Sequence, residues 1–169
     1  MTMNAAEITL RTAIEADRET LIDLIVQGFA DVTVNRWREE RYGIIGGRTW
    51  DEWKADDMRT IDINNVVIAE TDGKAVGFAT FHVNERTRIG TVGNNAVLPE
   101  YRGRGIGGQL DARVLELIAE AGMEFAQVST GLEDCYEPAR RMYERQGFKE
   151  LNRSIVYMMR LSDRLERFE

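Results

Sequence analysis

Apolar and polar positions follow strand or helix periods along most of the first half of the chain. Residues 7–12 alternate, which predicts a strand. Apolar residues recur at helical spacing over residues 15–30, which predicts an amphipathic helix. Two β-rich stretches, 66–70 and 74–83, flank the tripeptide Thr-Asp-Gly. Because Asp-Gly is typical of a tight turn between paired strands, these stretches predict a β-hairpin.

The same periods predict a strand–helix–strand unit in the second half. The predicted elements are a strand over 89–97, a helix with a buried stripe of Leu110, Val114, Leu117, Ile118 and Ala121, a strand over 125–130 and a helix over 138–146. Gly122 is expected to stop the first of these helices. Alternation at Ile155, Tyr157 and Met159 predicts one or two closing strands within 148–161.

Between the first helix and the hairpin, residues 31–65 contain all three tryptophans and a glycine break at 43–47, which two short helices are expected to flank. Consecutive antiparallel strands followed by a strand–helix–strand unit predict an α+β fold, an αβα sandwich. Its centre is a mixed, mostly antiparallel sheet of six or seven strands with helices on both faces. At 169 residues without repeats or a linker, residues 1–169 are expected to form one domain.

Composition narrows the class of protein. A content of 43% hydrophobic and 30% charged residues, with no long apolar run and no signal-peptide pattern, predicts a cytoplasmic protein without membrane contact. A net charge of -7 argues against nucleic acid as a partner. One cysteine, Cys135, excludes an internal disulfide, and with one histidine, His82, the chain offers little support for a metal site.

A glycine-rich segment before the second-half helix predicts an anion site. Four glycines lie within residues 103–108, where their backbone can approach a ligand closely. The first N–H groups of the following helix have no internal partner, and the helix dipole makes that end electropositive. Arg102 and Arg104 add positive charge, and no acidic residue lies between Arg102 and Leu110.

The anion itself is not settled by this pattern. Residues 103–108 also match G-x-G-x-x-G, which is typical of dinucleotide oxidoreductases. That fold requires the glycines directly after the first strand and an acidic residue about 20 positions later. Here the glycines lie past mid-chain, and the strand over 125–130 ends without an acid. A nucleotide-kinase loop is disfavoured because no G-K-[ST] follows.

Three motifs resemble the GNAT N-acetyltransferase superfamily. Arg102-x-x-Gly105-x-Gly107 resembles its [QR]-x-x-G-x-[GA] signature, and Asn95-Ala96-Val97-Leu98-Pro99 is similar to its strand running into V-x-P. The segment from Glu137 to Phe148 resembles its PARxxYExxGF helix. The resemblance covers residues 66–161 well and the N-terminal third only loosely.

This resemblance implies that acetyl-CoA is the cofactor and that no metal takes part. The backbone of Asn95, Ala96 and Val97 is then expected to bind the pantetheine arm. The loop is expected to hold the pyrophosphate through Arg102, Gly103, Arg104, Gly105, Ile106, Gly107 and Gly108. Tyr136 stands where the family often has an asparagine or histidine that contacts the arm.

Tyr143 matches the family's tyrosine, which can protonate the departing thiolate, and the resemblance implies this catalytic role. The alternative is that Tyr143 only packs its helix on the core. The general base is left open among Glu85, Asp134, His82 and a chain of water molecules. Cys135 is not expected to act as a nucleophile, because direct transfer to an amine needs no acyl-enzyme.

The acceptor is expected to be a primary amine of a small molecule or peptide, and polyamines, amino acids, aminoglycosides and protein N-termini all remain open. Residues 31–65 are expected to line its site. Their aromatic residues (Trp37, Tyr42, Trp50, Trp53) and acids (Glu39, Glu40, Asp51, Glu52, Asp56, Asp57) either receive a cationic amine or simply pack beside a solvated face. A catalytically inactive CoA-binding sensor is the alternative function, and the family's habit makes a homodimer the expected assembly.

Overall fold

The computed structural model describes residues 7–30 and 34–165, and its order of elements follows the predicted one as far as α5. The strands are β1 (Thr9–Thr12), β2 (Val66–Thr71), β3 (Lys74–Asn84), β4 (Ile89–Val97) and β5 (Phe125–Gln127). The helices are α1 (Arg18–Gly28), α2 (Val34–Tyr42), α3 (Trp50–Thr60), α4 (Ile106–Glu120), α5 (Glu137–Arg145) and α6 (Leu161–Leu165). Short 3₁₀ turns precede α1, β2, α4 and α5.

The five described strands form one mixed sheet in the order β1-β2-β3-β4-β5. The first three pairs are antiparallel, and only β4 and β5 run parallel, joined by α4. The β2–β3 hairpin closes through Asp72 and Gly73, both at positive φ, with Thr71 paired to Lys74. Two consecutive residues in the left-handed region are typical of the tight turn that Asp-Gly predicts.

Helices cover both faces of this sheet, which confirms the αβα sandwich. On one face, α1 and α3 bury Leu21, Ile25 and Met58 against Ile68 and Phe78. On the other face, α4 packs along the sheet. Its stripe of Ile106, Leu110, Val114 and Ile118 packs on Val67, Val76, Ala79 and Val92. Each buried aliphatic side chain of this size contributes about 1.5–3 kcal/mol to stability, so α4 is firmly attached to the sheet.

Glycine allows α1 and α4 to approach the middle of the sheet closely. A Cβ on Gly28 at the end of α1 would overlap Ala96 of β4, and a Cβ on Gly90 would overlap Ile118 of α4. The end of α1 therefore lies directly against the segment of β4 that precedes the glycine-rich loop.

The predicted closing strands within 148–161 are wrong for the described structure. Residues 149–160 belong to no strand, and the chain then enters α6. Contact with the rest of the protein is made near the end of the segment, where Tyr42 Oη donates to the Met158 carbonyl and Arg160 donates to the Tyr42 carbonyl. The physical reason is that β5 extends for only three residues, so it offers a short edge for another strand to pair with.

Candidate active site

The two parallel strands at the centre of the site separate after three pairs of residues. β4 pairs with β5 only over residues 89–91, whereas it pairs with β3 as far as Val97. A bulge opposite Thr80 accommodates Gly93 and Asn94, and the Asn94 amide donates to Thr80 Oγ1 over 2.9 Å. Because a bulge bends its strand, it directs the second half of β4 away from β5. One edge of β4 beyond Thr91 is therefore unpaired with β5.

A cavity of about 330 Å³ lies at this separation. It is lined by Phe29, Gly93, Asn94, Asn95, Ser129, Thr130, Gly131, Tyr136, Ala139 and Tyr143. Three of these residues, Asn95, Tyr136 and Tyr143, are predicted site residues from two separate sequence motifs. The folded chain brings them to one cavity, and Tyr136 lies in the 3₁₀ turn that leads directly into α5.

The glycine-rich loop ends at the N-terminus of α4, as its sequence predicts. Gly103 and Gly105 have φ angles of 75° and 77°, and Gly105 is the N-cap residue of the helix. The first intrahelical bond recorded at this end is from the Gln109 amide to the Gly105 carbonyl. The amides of Ile106, Gly107 and Gly108 come earlier and have no intrahelical acceptor, so they form a positive end that favours a phosphate group.

Both loop arginines also make contacts within the protein. Arg102 donates to the carbonyl oxygens of Val97, at 3.1 Å, and Gly28, at 2.7 Å, so it connects the loop to β4 and to the end of α1. Arg104 donates to the Glu100 carbonyl, and its guanidinium lies 5.1 Å from the centre of the Tyr101 ring. These contacts hold the shape of the loop. Sequence reasoning about charge alone missed this structural role.

Tyr143 is buried on α5 and lines the cavity. Its ring packs edge-on against Phe148 with the ring centres 5.8 Å apart, so the residue does pack its helix on the core. Burial, together with the charge of nearby Asp111, raises the pKa of Tyr143 to about 12. The phenol is therefore protonated at neutral pH, which is the state that a proton donor requires.

Sequence reasoning missed Asp111 as a residue of this region. The side chain is fully buried on α4, and neither carboxylate oxygen accepts a well-formed hydrogen bond from a described residue. Burial raises its pKa to about 6, and the amide of Asn95 only partly offsets this effect. That amide instead donates to the Gly107 carbonyl over 3.0 Å. The sequence did contain one indication of this position. Asp111 has helical spacing to Gly107, Val114 and Ile118, so this acidic residue lies on the same stripe of α4.

The three side chains considered as general bases lie outside the cavity lining. His82, Glu85 and Asp134 are all exposed, on β3, in the β3–β4 turn and in the 3₁₀ turn before α5. The residues that line the cavity carry no carboxylate or imidazole. Cys135 is half-buried beside Tyr136. None of the three therefore lines the cavity that contains Tyr143.

A second cavity of about 350 Å³ lies between α2, α3 and the C-terminal segment. It is lined by Arg38, Glu39, Gly43, Ile45, Gly46, Arg48, Trp50, Trp53, Lys54, Asp57 and Met158. Most of the named acids of this region already have partners: Lys54 pairs with Asp57 at 2.9 Å, and Arg36 pairs with Asp51 at 2.7 Å. Arginines also lie over Trp50 and Trp53, so cations of the protein occupy a face of each ring.

Residues 7–30 and 34–165 contain no cluster of three or more histidine, cysteine, aspartate or glutamate side chains arranged to hold a metal ion. Nor does any described helix combine the length and apolarity that crossing a bilayer requires.

Comparison with known sequences agrees with the architecture of the site. The model of the acetyltransferase (GNAT) family matches residues 27–148. A protein of Archaeoglobus fulgidus, described as an uncharacterised N-acetyltransferase, is 38% identical over 145 residues, covering 79% of this chain and 90% of that protein. The aminoalkylphosphonate N-acetyltransferase of Salmonella typhimurium is 34% identical over 87 residues, covering 49% of this chain and 55% of that enzyme.

Solved structures share the fold at lower identity. The aminoglycoside N-acetyltransferase AAC(6')-Iy in complex with CoA has a TM-score of 0.65 and 20% identity, covering 95% of this chain and 99% of that one. A GNAT family acetyltransferase from Brucella melitensis in complex with acetyl-CoA has a TM-score of 0.58 and 22% identity, covering 86% of this chain and 85% of that one. At these identities the likeness shows the fold alone.

Proposed function

Because the chain belongs to the acetyltransferase (GNAT) family, we propose that it transfers an acetyl group from acetyl-CoA to a primary amine of a small molecule or peptide. One observation carries the proposal. The unpaired edge of β4 runs from a cavity that contains Tyr143 to the free amides at the start of α4. An acyl-CoA molecule has a matching order of groups, with a thioester, an amide-containing arm and a diphosphate.

The residues present fit this cofactor. Asn95, Ala96 and Val97 pair with β3 on one side, and their backbone groups on the edge that β5 leaves open would hydrogen-bond the arm as an added strand does. The amides of residues 106–108 would hold the diphosphate, with Arg102 and Arg104 supplying positive charge nearby. Tyr136 lines the same cavity and would contact the arm beside Tyr143.

Acetyl-CoA would supply the activated acyl group, and the chain's own residues would handle its charge and protons. A β4 amide directed at the thioester carbonyl would stabilise the negative charge that develops there. Tyr143, protonated because it is buried, would donate its hydroxyl proton to the departing sulfur. The cavity would hold the amine against the carbonyl and so remove much of the entropic cost of their encounter.

The acceptor would enter from the side formed by α2 and α3, where the second cavity lies. Trp50 and Trp53 give this cavity apolar walls, and Glu39 and Asp57 give it acidic groups. The relatives named above act on aminoalkylphosphonates and aminoglycosides, both of which carry primary amines. The lining of this cavity therefore favours, as the acceptor, an amine that carries further polar groups over a simple alkylamine.

A homodimer is part of this proposal. Residues 151–161 expose six large apolar side chains by between 55% and 93%: Leu151, Ile155, Val156, Tyr157, Met159 and Leu161. Their combined surface is on the order of the 800 Å² that each partner buries in a stable complex. A second copy would cover them, so light scattering should give twice the chain mass at micromolar concentration. A monomeric mass would contradict this part of the proposal.

A CoA-binding sensor without turnover is the second candidate, favoured by the absence of a carboxylate or imidazole from the cavity lining. Thermal-shift measurements with acetyl-CoA, CoA, NAD and NADP, followed by assays of free thiol with a panel of amines, separate the possibilities. Stabilisation by acetyl-CoA with amine-dependent thiol release supports the acetyltransferase. Stabilisation without thiol release supports the sensor, and stabilisation only by NAD or NADP refutes both.

A further inference from the structure

The loop that follows β5 is fixed to α5 by an arginine. Residues 128–133 belong to no helix or strand, and they lead into the 3₁₀ turn that carries Tyr136. Arg140, half-buried on α5, donates through Nη1 to the Gly131 carbonyl over 2.7 Å and to the Glu133 carbonyl over 2.9 Å. The Glu133 carbonyl also accepts the amide of Tyr136, so Arg140 holds both the loop and the start of that turn.

The position of Arg140 on α5 does not by itself favour a cation. Arg140 is the fourth residue of the helix and lies in its first turn, where the helix dipole is positive. Its bonds to two carbonyl oxygens offset this effect, because a charged donor makes a stronger hydrogen bond than a neutral one. Arg141, the next residue, is exposed and pairs instead with Glu137 at 2.6 Å. The two neighbouring arginines therefore make different contacts, one with the loop and one within the helix.

Gly131 connects Arg140 to Tyr136. A Cβ on Gly131 would overlap two atoms of the Tyr136 ring, so this ring lies directly against the backbone of the loop. The φ angle of Gly131 does not lie in the left-handed region, so the close approach of the ring, and not the backbone conformation, requires glycine here. Because Arg140 bonds the carbonyl of this same glycine, the position of the Tyr136 ring depends on Arg140.

The loop forms one side of the cavity between β4 and β5. The cavity is lined from the loop by Ser129, Thr130 and Gly131, and from β4 by residues 93–95. Strand β4 is held in place by its pairing with β3, whereas the loop lies beyond the last pair that β5 makes with β4. The width of the cavity therefore depends on contacts that fix the loop from outside the sheet, and Arg140 supplies two of them.

We propose that Arg140 is a positioning residue for acyl-CoA, which acts through Gly131 and Tyr136 on the side of the cavity that faces the arm. This proposal rests on the proposed acetyl transfer. With residues 128–133 already fixed, binding does not have to order them, and Tyr136 meets the arm in one orientation. Without Arg140, part of the binding free energy is spent on ordering the loop, so the affinity for the arm falls. The diphosphate contacts at the start of α4 do not involve this loop.

The test compares Arg140→Met, which keeps an unbranched side chain but removes the guanidinium, with Arg141→Met as the matched control. We expect Arg140→Met to raise the acetyl-CoA Kd, measured by calorimetry, about tenfold, which is on the order of the loss of two hydrogen bonds. Its kcat at saturating acetyl-CoA should change less than about threefold, because the lost interaction positions the ligand and does not act on the reacting atoms. Arg141→Met should behave as wild type.

A ligand without the arm separates positioning from a general structural effect. Phosphoadenosine diphosphate, which is CoA without its arm, should bind wild type and Arg140→Met with Kd values within about twofold of each other, because the amides at the start of α4 remain. Arg140→Lys keeps a charged donor and should recover part of the acetyl-CoA affinity. Gly131→Ala is a second variant should Arg140→Met fold poorly, since its methyl group displaces the Tyr136 ring and should weaken only the binding of acetyl-CoA.

Two results would overturn the proposal: an equal loss of affinity for both ligands, or an acetyl-CoA Kd in Arg140→Met equal to that in Arg141→Met. If wild type binds no acetyl-CoA, the proposed function itself fails, and this role of Arg140 fails with it. The contact can also be measured without ligand by hydrogen exchange. Faster exchange of the amides of residues 128–133 in Arg140→Met than in Arg141→Met would support the fixing of the loop, and equal rates would contradict it.

Discussion

The proposed cofactor side and the proposed acceptor side of this molecule are built by different means. On the cofactor side, β4, the glycine-rich loop and α4 are held by sheet pairing, by buried aliphatic contacts and by Arg102 bonds to two backbone carbonyls. On the acceptor side, α2 and α3 meet through the Arg36–Asp51 ion pair and through Arg36 lying over the Trp50 ring. Residues 149–160 contact α2 through two hydrogen bonds with Tyr42.

This difference indicates which half of the site can change. An exposed ion pair contributes about 0–1 kcal/mol, whereas each buried aliphatic residue of α4 contributes about 1.5–3 kcal/mol. On the proposed function, the cofactor side would recognise its ligand mainly through backbone groups, which most substitutions leave in place. The acceptor side would use side chains, so its specificity could change without loss of the fold. Four variants, from the largest expected effect to the smallest, test this contrast.

Tyr143→Phe should reduce kcat by about 100-fold, because the variant has no hydroxyl to protonate the departing sulfur. The acetyl-CoA Kd, measured by calorimetry, should change little, since the backbone of β4 and the loop remain. Tyr157→Phe removes a hydroxyl from an exposed tyrosine and is the matched control. A normal kcat in Tyr143→Phe would leave Tyr143 with only its packing role.

Asp111→Asn should raise stability at neutral pH by about 2 kcal/mol, or roughly 5 °C in Tm. The pKa of Asp111 rises from 3.8 to about 6 on folding, so the folded state binds more protons between these values. Wild type therefore loses stability as pH rises through this window, and the loss is complete above it. Melting curves from pH 4 to 8 should show the advantage of the variant growing up to about pH 6. An advantage independent of pH would contradict the assignment.

Gly105→Ala should weaken acetyl-CoA binding by about tenfold, because a Cβ at a φ of 77° costs about 1 kcal/mol or distorts the loop amides. Gly122→Ala is the control, since Gly122 has a φ of 78° at the other end of α4. Both variants should lose similar stability by thermal melting. Only Gly105→Ala should lose affinity, and equal affinities would show that the loop does not bind the cofactor.

Trp53→Ala should have the smallest effect, a few-fold increase in KM for the amine with Tm and acetyl-CoA Kd nearly unchanged. The side chain is about half exposed and lines the second cavity, so its loss removes one wall at little cost in packing. Steady-state kinetics at saturating acetyl-CoA would measure it. A change in acetyl-CoA affinity larger than the change in KM for the amine would remove the distinction between the two sides.

Much of the fold could be predicted because its signals are local. Strand β4 has the predicted bounds, the hairpin turns at Asp72 and Gly73, and the two helices that flank the glycines at 43–47 are present. Tyr136 and Tyr143 were both expected at the site, and they line one cavity with Asn95. Two predictions were wrong for a common reason. The sequence predicted closing strands within 148–161 and a buried Ala121, but Ala121 is exposed and the strands are absent from the described residues. Both features depend on which other parts of the chain pack beside them.

Periodic apolar residues, a left-handed glycine at a helix start and a two-residue turn act over a few neighbouring positions. The sequence by itself therefore determined the order of elements as far as α5 and the glycine-rich loop at the start of α4. The tertiary structure alone decided that Arg102 reaches the end of α1, that β4 and β5 separate after three pairs, and that Asp111 lies buried near Tyr143. These features join residues far apart in the chain, and the burial and charge on which they depend exist only after packing.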